Sequence, residues 1–187
     1  MVSWSLDACR ACGVVRAIVV AVPAGHEHGL DGVEGLIMVE GGSTRAESVS
    51  NALAEVRTEY VAIHDAARPL LTAALLEALV AELAADPDAD GIIAAAPVHD
   101  TVKKVTEGHV EETLDRSVLW GAQTPQVFRT SALRKALRAA DSITDEAMLI
   151  EAAGGKVLLH DPGAPNLKVT TPVDLRVAEL LLAERDI

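Results

Sequence analysis

No stretch of this sequence is apolar for the roughly 20 residues that a bilayer-spanning helix requires. Its long apolar runs, residues 17–23 among them, stop far short, so no membrane span and no membrane partner is expected. A secretory leader is not expected either, because Asp7 and Arg10 interrupt the apolar block it would need, and the reading is cytoplasmic. Basic charge is scarce: 16 Lys and Arg stand against 28 Asp and Glu, a formal net charge of -12. Such a surface repels a nucleic-acid backbone. Any anionic ligand must therefore be met by a local basic cluster. The only 2 cysteines, Cys9 and Cys12, could form half a zinc site with His26 and His28. Those histidines are one residue apart rather than at the usual zinc spacing, so two small thiols on a short buried helix is the better reading. Internal repeats, low-complexity tracts and a G-x-G-x-x-G after the first strand are all missing, and the last weakens a dinucleotide-dependent reading. No Ser-His-Asp or Cys-His arrangement stands out.

What is present is an apolar half of a 187-residue chain, enough for one core and a single domain over residues 1–187. β-branched runs at 14–22, 36–39, 60–63, 91–98 and 156–160 read as strands buried in a largely parallel sheet. Helical patterns lie between them, at 47–56, 72–85, 131–139, 145–153 and 172–184. The alternation predicts a doubly wound, mostly parallel α/β sheet with right-handed crossovers. Residues 101–114, polar and charged around Gly108, break the rhythm. They predict a β-hairpin arm, spanning about 99–118 with its flanks, that projects from the domain as a dimer contact.

Ligands of open α/β sheets bind beyond the carboxyl ends of the strands, which nominates four segments. Gly41-Gly42-Ser43-Thr44-Arg45-Ala46-Glu47-Ser48 runs from a strand end into a helix. It suits close backbone approach to a ligand, or a solvated turn in which Ser43 or Thr44 caps the helix. His64-Asp65-Ala66-Ala67-Arg68-Pro69 offers a carboxylate for magnesium and an arginine for phosphate, or an internal Asp65–Arg68 ion pair. Residues 97–104 add Thr101, Lys103 and Lys104, and residues 166–170 add Lys168 in a polar turn before the last helix.

In order, the strings GGSTRAESV, HDAARP, PVHDTVKK, LWGAQTPQVF, TDEA and NLKVTTPVDL resemble the 2-C-methyl-D-erythritol 4-phosphate cytidylyltransferase family of the nonmevalonate isoprenoid pathway. The resemblance runs from about residue 3 to residue 182. It implies a Rossmann-like nucleotide-diphospho-sugar transferase fold and transfer of CMP from CTP to methylerythritol phosphate, with Mg2+, in a homodimer. It also implies roles: Asp65 on magnesium and the α-phosphate, and Gly41, Gly42, Ser48, Ala66 and Arg68 around the nucleotide. Lys168 would face the transferring phosphate. Arg116, Thr101, Thr124 and Thr144 would face the acceptor, with Thr101 and Arg116 supplied across the dimer by the arm.

The chain departs from the family pattern in two places. It opens at Trp4-Ser5-Leu6-Asp7, which matches the helix that follows, in the family, a central strand and a glycine-rich triphosphate loop. Unpaired sheet groups are expected beside that position unless neighbours close up. Ser43 stands where the family often has an aspartate. The alternatives are a cytidylyltransferase for another polyol phosphate such as ribitol 5-phosphate, and a non-catalytic homologue that does not grip triphosphate.

Overall fold

A computed structural model describes residues 1–25, 29–30, 33–138 and 145–185. The apolar runs become β1 (Ile18–Val22), β2 (Leu36–Glu40), β3 (Tyr60–Ile63), β4 (Gly91–Pro97) and, later in the chain, β8 (Val157–His160). Strands β5 (Lys103–Thr106) and β6 (His109–Thr113) form the expected hairpin arm, exposed along its whole length. Strand β7 is Trp120–Arg129, reached through a 3-10 turn at Arg116–Val118. The helices are α1 (Val2–Ala11), α2 (Arg45–Glu55), α3 (Ala73–Ala85), α4 (Thr130–Arg138), α5 (Glu146–Ala152) and α6 (Pro172–Arg185). No helix among the described residues is long and apolar enough to cross a membrane.

Two elements differ from expectation. The strand read at 14–22 begins only at Ile18, because the chain leaves α1 through a turn in which the Val15 N–H donates to the Cys12 carbonyl. Strand β7 has no counterpart among the expected strands, since Pro125 has no N–H and argues against a central strand. The fold absorbs it with a bulge. Gln126 pairs with Ile93 and Ala122 with Ala95. Gln123, Thr124 and Pro125 thus stand opposite Ala94 alone, and the proline needs no ladder donor.

Strand β7 lies between β3 and β4, antiparallel to both, and β8 adds to β4 in parallel, giving the order β3-β7-β4-β8. Strands β1 and β2 make a separate parallel pair. Side-chain alternation along the larger sheet feeds two cores. Phe128, Val61, Ile63, Ile93 and Val157 meet Leu53 of α2 together with α4 and α5. Val127, Ile92, Tyr60 and Leu158 meet Leu79 and Leu83 of α3 on the other side. Helix α1 then packs on α3 through Cys9, Cys12 and Leu76. Both thiols are free, and burial, then the neighbouring Cys12, pushes the Cys9 thiol up. His26 and His28 lie outside the described residues.

Helices therefore cover both faces of a mixed sheet, the doubly wound arrangement, with β7 as its antiparallel member. No ladder joins β1 to β3, and a cavity of about 870 Å3 separates them. The neighbours have not closed up.

Gly91 pairs with Phe128, and a Cβ there would lie 2.4 Å from the ring of that fully buried side chain. Gly91→Ala is expected to cost about 1–3 kcal/mol by overpacking. Urea unfolding measures this, and Phe128→Leu in the same chain should recover part of the loss.

Candidate functional site

The loop after β2 is built by local hydrogen bonds. Thr44 caps α2 by accepting the Glu47 N–H (3.1 Å), while Glu47 Oε2 accepts the Ser43 N–H (2.6 Å) and hydroxyl (2.7 Å). This reciprocal capping box holds the Glu47 carboxyl below its ordinary range, chiefly through the Ser43 bonds. A Cβ on Gly42 would lie 2.1 Å from that of Glu47, so only glycine fits. The Gly42 N–H donates to Ser48 Oγ (3.1 Å), which donates to the Thr44 carbonyl (3.0 Å). The Gly41 N–H reaches the Val22 carbonyl (2.7 Å). These are the bonds of the capping reading, and they fix the direction in which Arg45, the first residue of α2, leaves the helix.

The loop after β3 carries Asp65, 18% exposed. Lys168 Nζ lies 2.9 Å from its Oδ2, and Arg45 Nε lies 3.4 Å from its Oδ1. Lys168 comes from far along the chain. It is delivered because the Val169 N–H donates to the Ala67 carbonyl (2.8 Å) and Arg68 Nη1 donates to the Asn166 carbonyl (2.7 Å). Asn166, buried, in turn donates to Gln123 Oε1 and the Thr124 carbonyl. Just beyond Lys168, Asp174 Oδ2 takes the Thr170 and Thr171 N–H groups and pins the start of α6; these bonds lower its pKa to about 2.

Beneath Asp65 runs a short relay. Its N–H donates to Thr124 Oγ1 (3.0 Å), Thr124 Oγ1 pairs with His64 Nδ1 (3.2 Å), and His64 Nε2 pairs with the Arg68 carbonyl (3.0 Å). A carbonyl only accepts, so Nε2 carries the proton and Nδ1 accepts from the threonine. This is the neutral tautomer. Burial, which outweighs the Arg68 carbonyl and Asp65, takes the His64 pKa down to about 4.

Arg45 also bonds Glu146 of α5, Nη1 to Oε1, at 2.6 Å, and Glu146 is 1% exposed. Burial works against the Arg45 charge, but Glu146 and then Asp65 hold its pKa above the ordinary arginine value. Burial would likewise raise Asp65, yet the Lys168 hydrogen bond and the Arg45 charge keep it below the ordinary carboxylate range. Arg68 is lowered by burial. Among the described residues, Arg68 Nε and Glu146 Oε2 are buried without a partner. The result is a carboxylate held between two cations with a third cation, Arg68, behind it. Such a cluster can take a phosphate, or a metal ion that brings phosphates with it.

Of the residues expected from sequence, Ser48, Asp65 and Ala66 line one cavity with Arg45, and Lys168 is bonded to Asp65 at its rim. Arg68 stands behind, bonded to Asn166, so the alternative Asp65–Arg68 ion pair is not formed. Thr124 is present, but its side chain is buried and its hydroxyl is committed to the Asp65 N–H and His64. Arg116 sits at the base of the arm, donating to the His99 carbonyl, and neither it nor Thr101 is bonded to the Asp65 cluster. Thr144 lies outside the described residues. Arg45 and Glu146 are not among the site residues expected from sequence. The signal available was a cation in the first turn of a helix, where the macrodipole disfavours it unless a carboxylate is near.

The family described as 2-C-methyl-D-erythritol 4-phosphate cytidylyltransferase matches residues 1–184. A protein of that description from Dechloromonas aromatica is 50% identical over 151 residues, covering 78% of this chain and 65% of the relative. One from Parasynechococcus marenigrum is 41% identical over 197 residues, covering 99% of this chain and 86% of the relative. The matches thus span about two thirds of the length of the first of these curated relatives and more of the second. A crystal structure of a 4-diphosphocytidyl-2C-methyl-D-erythritol synthase superposes with a TM-score of 0.85 at 35% identity, covering 97% of this chain and 89% of that one. The Thermus thermophilus 2-C-methyl-D-erythritol 4-phosphate cytidylyltransferase superposes with a TM-score of 0.81 at 32% identity, covering 97% of this chain and 88% of that one.

Because the folded His64 takes its proton only near pH 4 and an unfolded histidine near 6.5, the unfolded chain binds more protons between those values. Stability should be complete above pH 6.5 and fall as pH drops toward 4, by on the order of 3 kcal/mol. Urea midpoints from pH 4 to 8 check this, and His64→Gln should flatten the slope.

Proposed function

From the premise that this chain belongs to the 2-C-methyl-D-erythritol 4-phosphate cytidylyltransferase family, matched over residues 1–184, we propose that it transfers CMP from CTP to methylerythritol phosphate and releases pyrophosphate. In this reaction an oxygen of the acceptor phosphate forms a bond to the α-phosphorus. The bond from that phosphorus to the oxygen bridging to the β-phosphate breaks, and pyrophosphate leaves with the electron pair. Both reactants are anions, so the protein must supply cations and hold the groups in line. The observation that carries the reading is the convergence of Lys168 and Arg45 on Asp65 within 3.4 Å, in a chain of net charge -12.

On this reading Lys168 neutralises charge on the phosphate under attack and orients the acceptor. Gly41, Gly42, Ser48, Ala66 and Arg68 shape the nucleotide side. Arg116, Thr101, Thr124 and Thr144 are assigned to the acceptor side, with Arg116 and Thr101 arriving from a second copy through the arm. The arm suits that contact, since Val105 and Val110 are 53% and 61% exposed.

Asp65 would hold magnesium. One carboxylate plus nucleotide phosphates is a common set for this ion, and the 3.4 Å contact to Arg45 is the looser of the two pairs around it. The residues present fit that role. Bound there, the ion would neutralise phosphate charge. Arg45, anchored by Glu146, would stay beside it as a second fixed cation.

Pyrophosphate release with CTP, Mg2+ and methylerythritol phosphate tests the reading. Lys168→Ala and Arg116→Ala should each lower kcat by about 100-fold or more with little change in unfolding midpoint. The defect of Asp65→Asn should shrink as magnesium is raised. Turnover with ribitol 5-phosphate alone would replace the acceptor, and calorimetry showing no CTP binding by the folded chain would overturn the proposal.

A further inference from the structure

Glu146 is the one charged side chain among the described residues that is buried, at 1% exposure. Its single ion pair among them is with Arg45, 2.6 Å away through Oε1, and its Oε2 has no partner. Withdrawing a carboxylate from water is costly, and an apolar residue of similar volume serves a core as well or better. The surroundings are apolar already: Ala147, Leu149 and Ile150 of the same helix pack with Phe128 and Leu133. The core therefore gains little from this charge. What the charge acts on is Arg45.

Arg45 is fixed at two of its nitrogens. Nη1 meets Glu146, and Nε lies 3.4 Å from Asp65 Oδ1. The two carboxylates arrive on different elements, α5 and the loop after β3, so the plane of the guanidinium is held from both sides. The remaining nitrogen, Nη2, has no partner among the described residues. The side chain is 40% exposed, on the wall that also carries Ser48, Asp65 and Ala66. The loop that bears it has most of its backbone donors engaged: the N–H groups of Gly41, Gly42, Ser43 and Glu47 go to Val22, Ser48, Glu47 and Thr44. An anion at this wall thus meets the guanidinium as the loop's charged donor.

Lys168 and Arg45 take opposite oxygens of Asp65, Oδ2 and Oδ1, so a phosphate seated at that rim has a cation on either side. We propose, on the footing of the transfer reading, that Arg45 is a further catalytic residue, donating from Nη2 to the phosphate under attack, and that Glu146 is the residue that positions it. Glu146 itself touches no reactant. Only a planar fork can satisfy two carboxylates and still aim a third donor, whereas a lysine is a point charge on a flexible stem. Glu146 thus holds ready a donor that would otherwise have to be ordered as the phosphate reacts.

Two measurements test the pair. In the first, the folded chain carries isotope-labelled arginine, and the Arg45 side-chain resonance is assigned by its loss in Arg45→Lys. Guanidinium rotation should be slow in the wild-type chain and fast in Glu146→Gln, and millimolar CMP should shift the signal in the former only. In the second, pyrophosphate release is followed with CTP, Mg2+ and methylerythritol phosphate. Glu146→Gln and Arg45→Lys should each lower kcat about tenfold or more, with a smaller change in KM for the acceptor. The double variant should be no worse than Arg45→Lys alone, because the carboxylate acts through the arginine. Where Glu146→Gln melts early, Arg45→Lys, at the half-exposed partner, carries the same expectation for kcat. Additive losses, wild-type kcat in Arg45→Lys, or an Arg45 signal indifferent to Glu146→Gln would each overturn the proposal. A chain that releases no pyrophosphate fails the transfer reading instead, and the resonance then decides the pair: a Glu146-dependent response to CMP supports it, and no response in the folded wild-type chain overturns it.

Discussion

The Asp65 carboxylate, held between Lys168 and Arg45, is where the separate parts of this fold meet. Each partner arrives on a different element: Asp65 from the end of β3, Arg45 from the first turn of α2, Lys168 from the turn before α6. None of the three is near another in sequence. Partly exposed ion pairs contribute little to stability, so the cluster does not hold the fold together by its own strength. The reverse holds: the backbone bonds from Val169 to Ala67 and from Arg68 to Asn166 set the loops first, and the charges fall into register.

The relay under Asp65 explains why that position is rigid. The Asp65 N–H is fixed by Thr124, Thr124 by His64, and His64 by the Arg68 carbonyl, so the loop bonds onto itself through a neutral imidazole. Thr124 reaches the loop because the bulge around Pro125 lifts three residues out of the β7 ladder opposite Ala94. A residue that disqualifies a central strand on sequence grounds is thus what aims a threonine at the site. Glu146 plays the matching part for Arg45. A buried carboxylate with one unpartnered oxygen is costly, and what it secures is a guanidinium that cannot swing away from Asp65.

Much of this was legible. The strands at Tyr60–Ile63 and Gly91–Pro97, the arm around Gly108 and the cap at Thr44 follow from local pattern, because β-branched runs, turn glycines and capping residues act over a few positions. The strand-end rule nominated both Asp65 and Lys168, and the two lie 2.9 Å apart at one rim. What was not legible depends on contacts across the chain. Strand β7 needed the bulge to be known before its proline made sense. Arg45 and Glu146 are 101 positions apart, and each alone resembles an ordinary charge near a helix start. Thr124 is buried with its hydroxyl committed to the Asp65 N–H and His64, an inward placement that no spacing reveals.

The same contacts explain how two sheets that share no ladder stay together. At the amino side of the cavity, Gly13 donates to Glu77 and the α1–α3 cluster closes around Cys12, Leu71 and Leu76. Beyond the far end of α2, Arg134 of α4 takes the Leu53 and Val56 carbonyls while Leu53 enters the Phe128 core. At the carboxyl rim, Arg45 bridges Asp65 and Glu146. The β1–β2 pair is therefore bound to the larger sheet through helices and the arginines Arg45 and Arg134 rather than through strand hydrogen bonds. That division places the capped loop, Gly41 to Ser48, on one body and Asp65 with Lys168 on the other. The distance across the candidate site is set by whatever fixes the separation of β1 from β3. Arg45 is, among the described residues, the only ion-pairing side chain that links the β2–α2 loop to Asp65 at the rim.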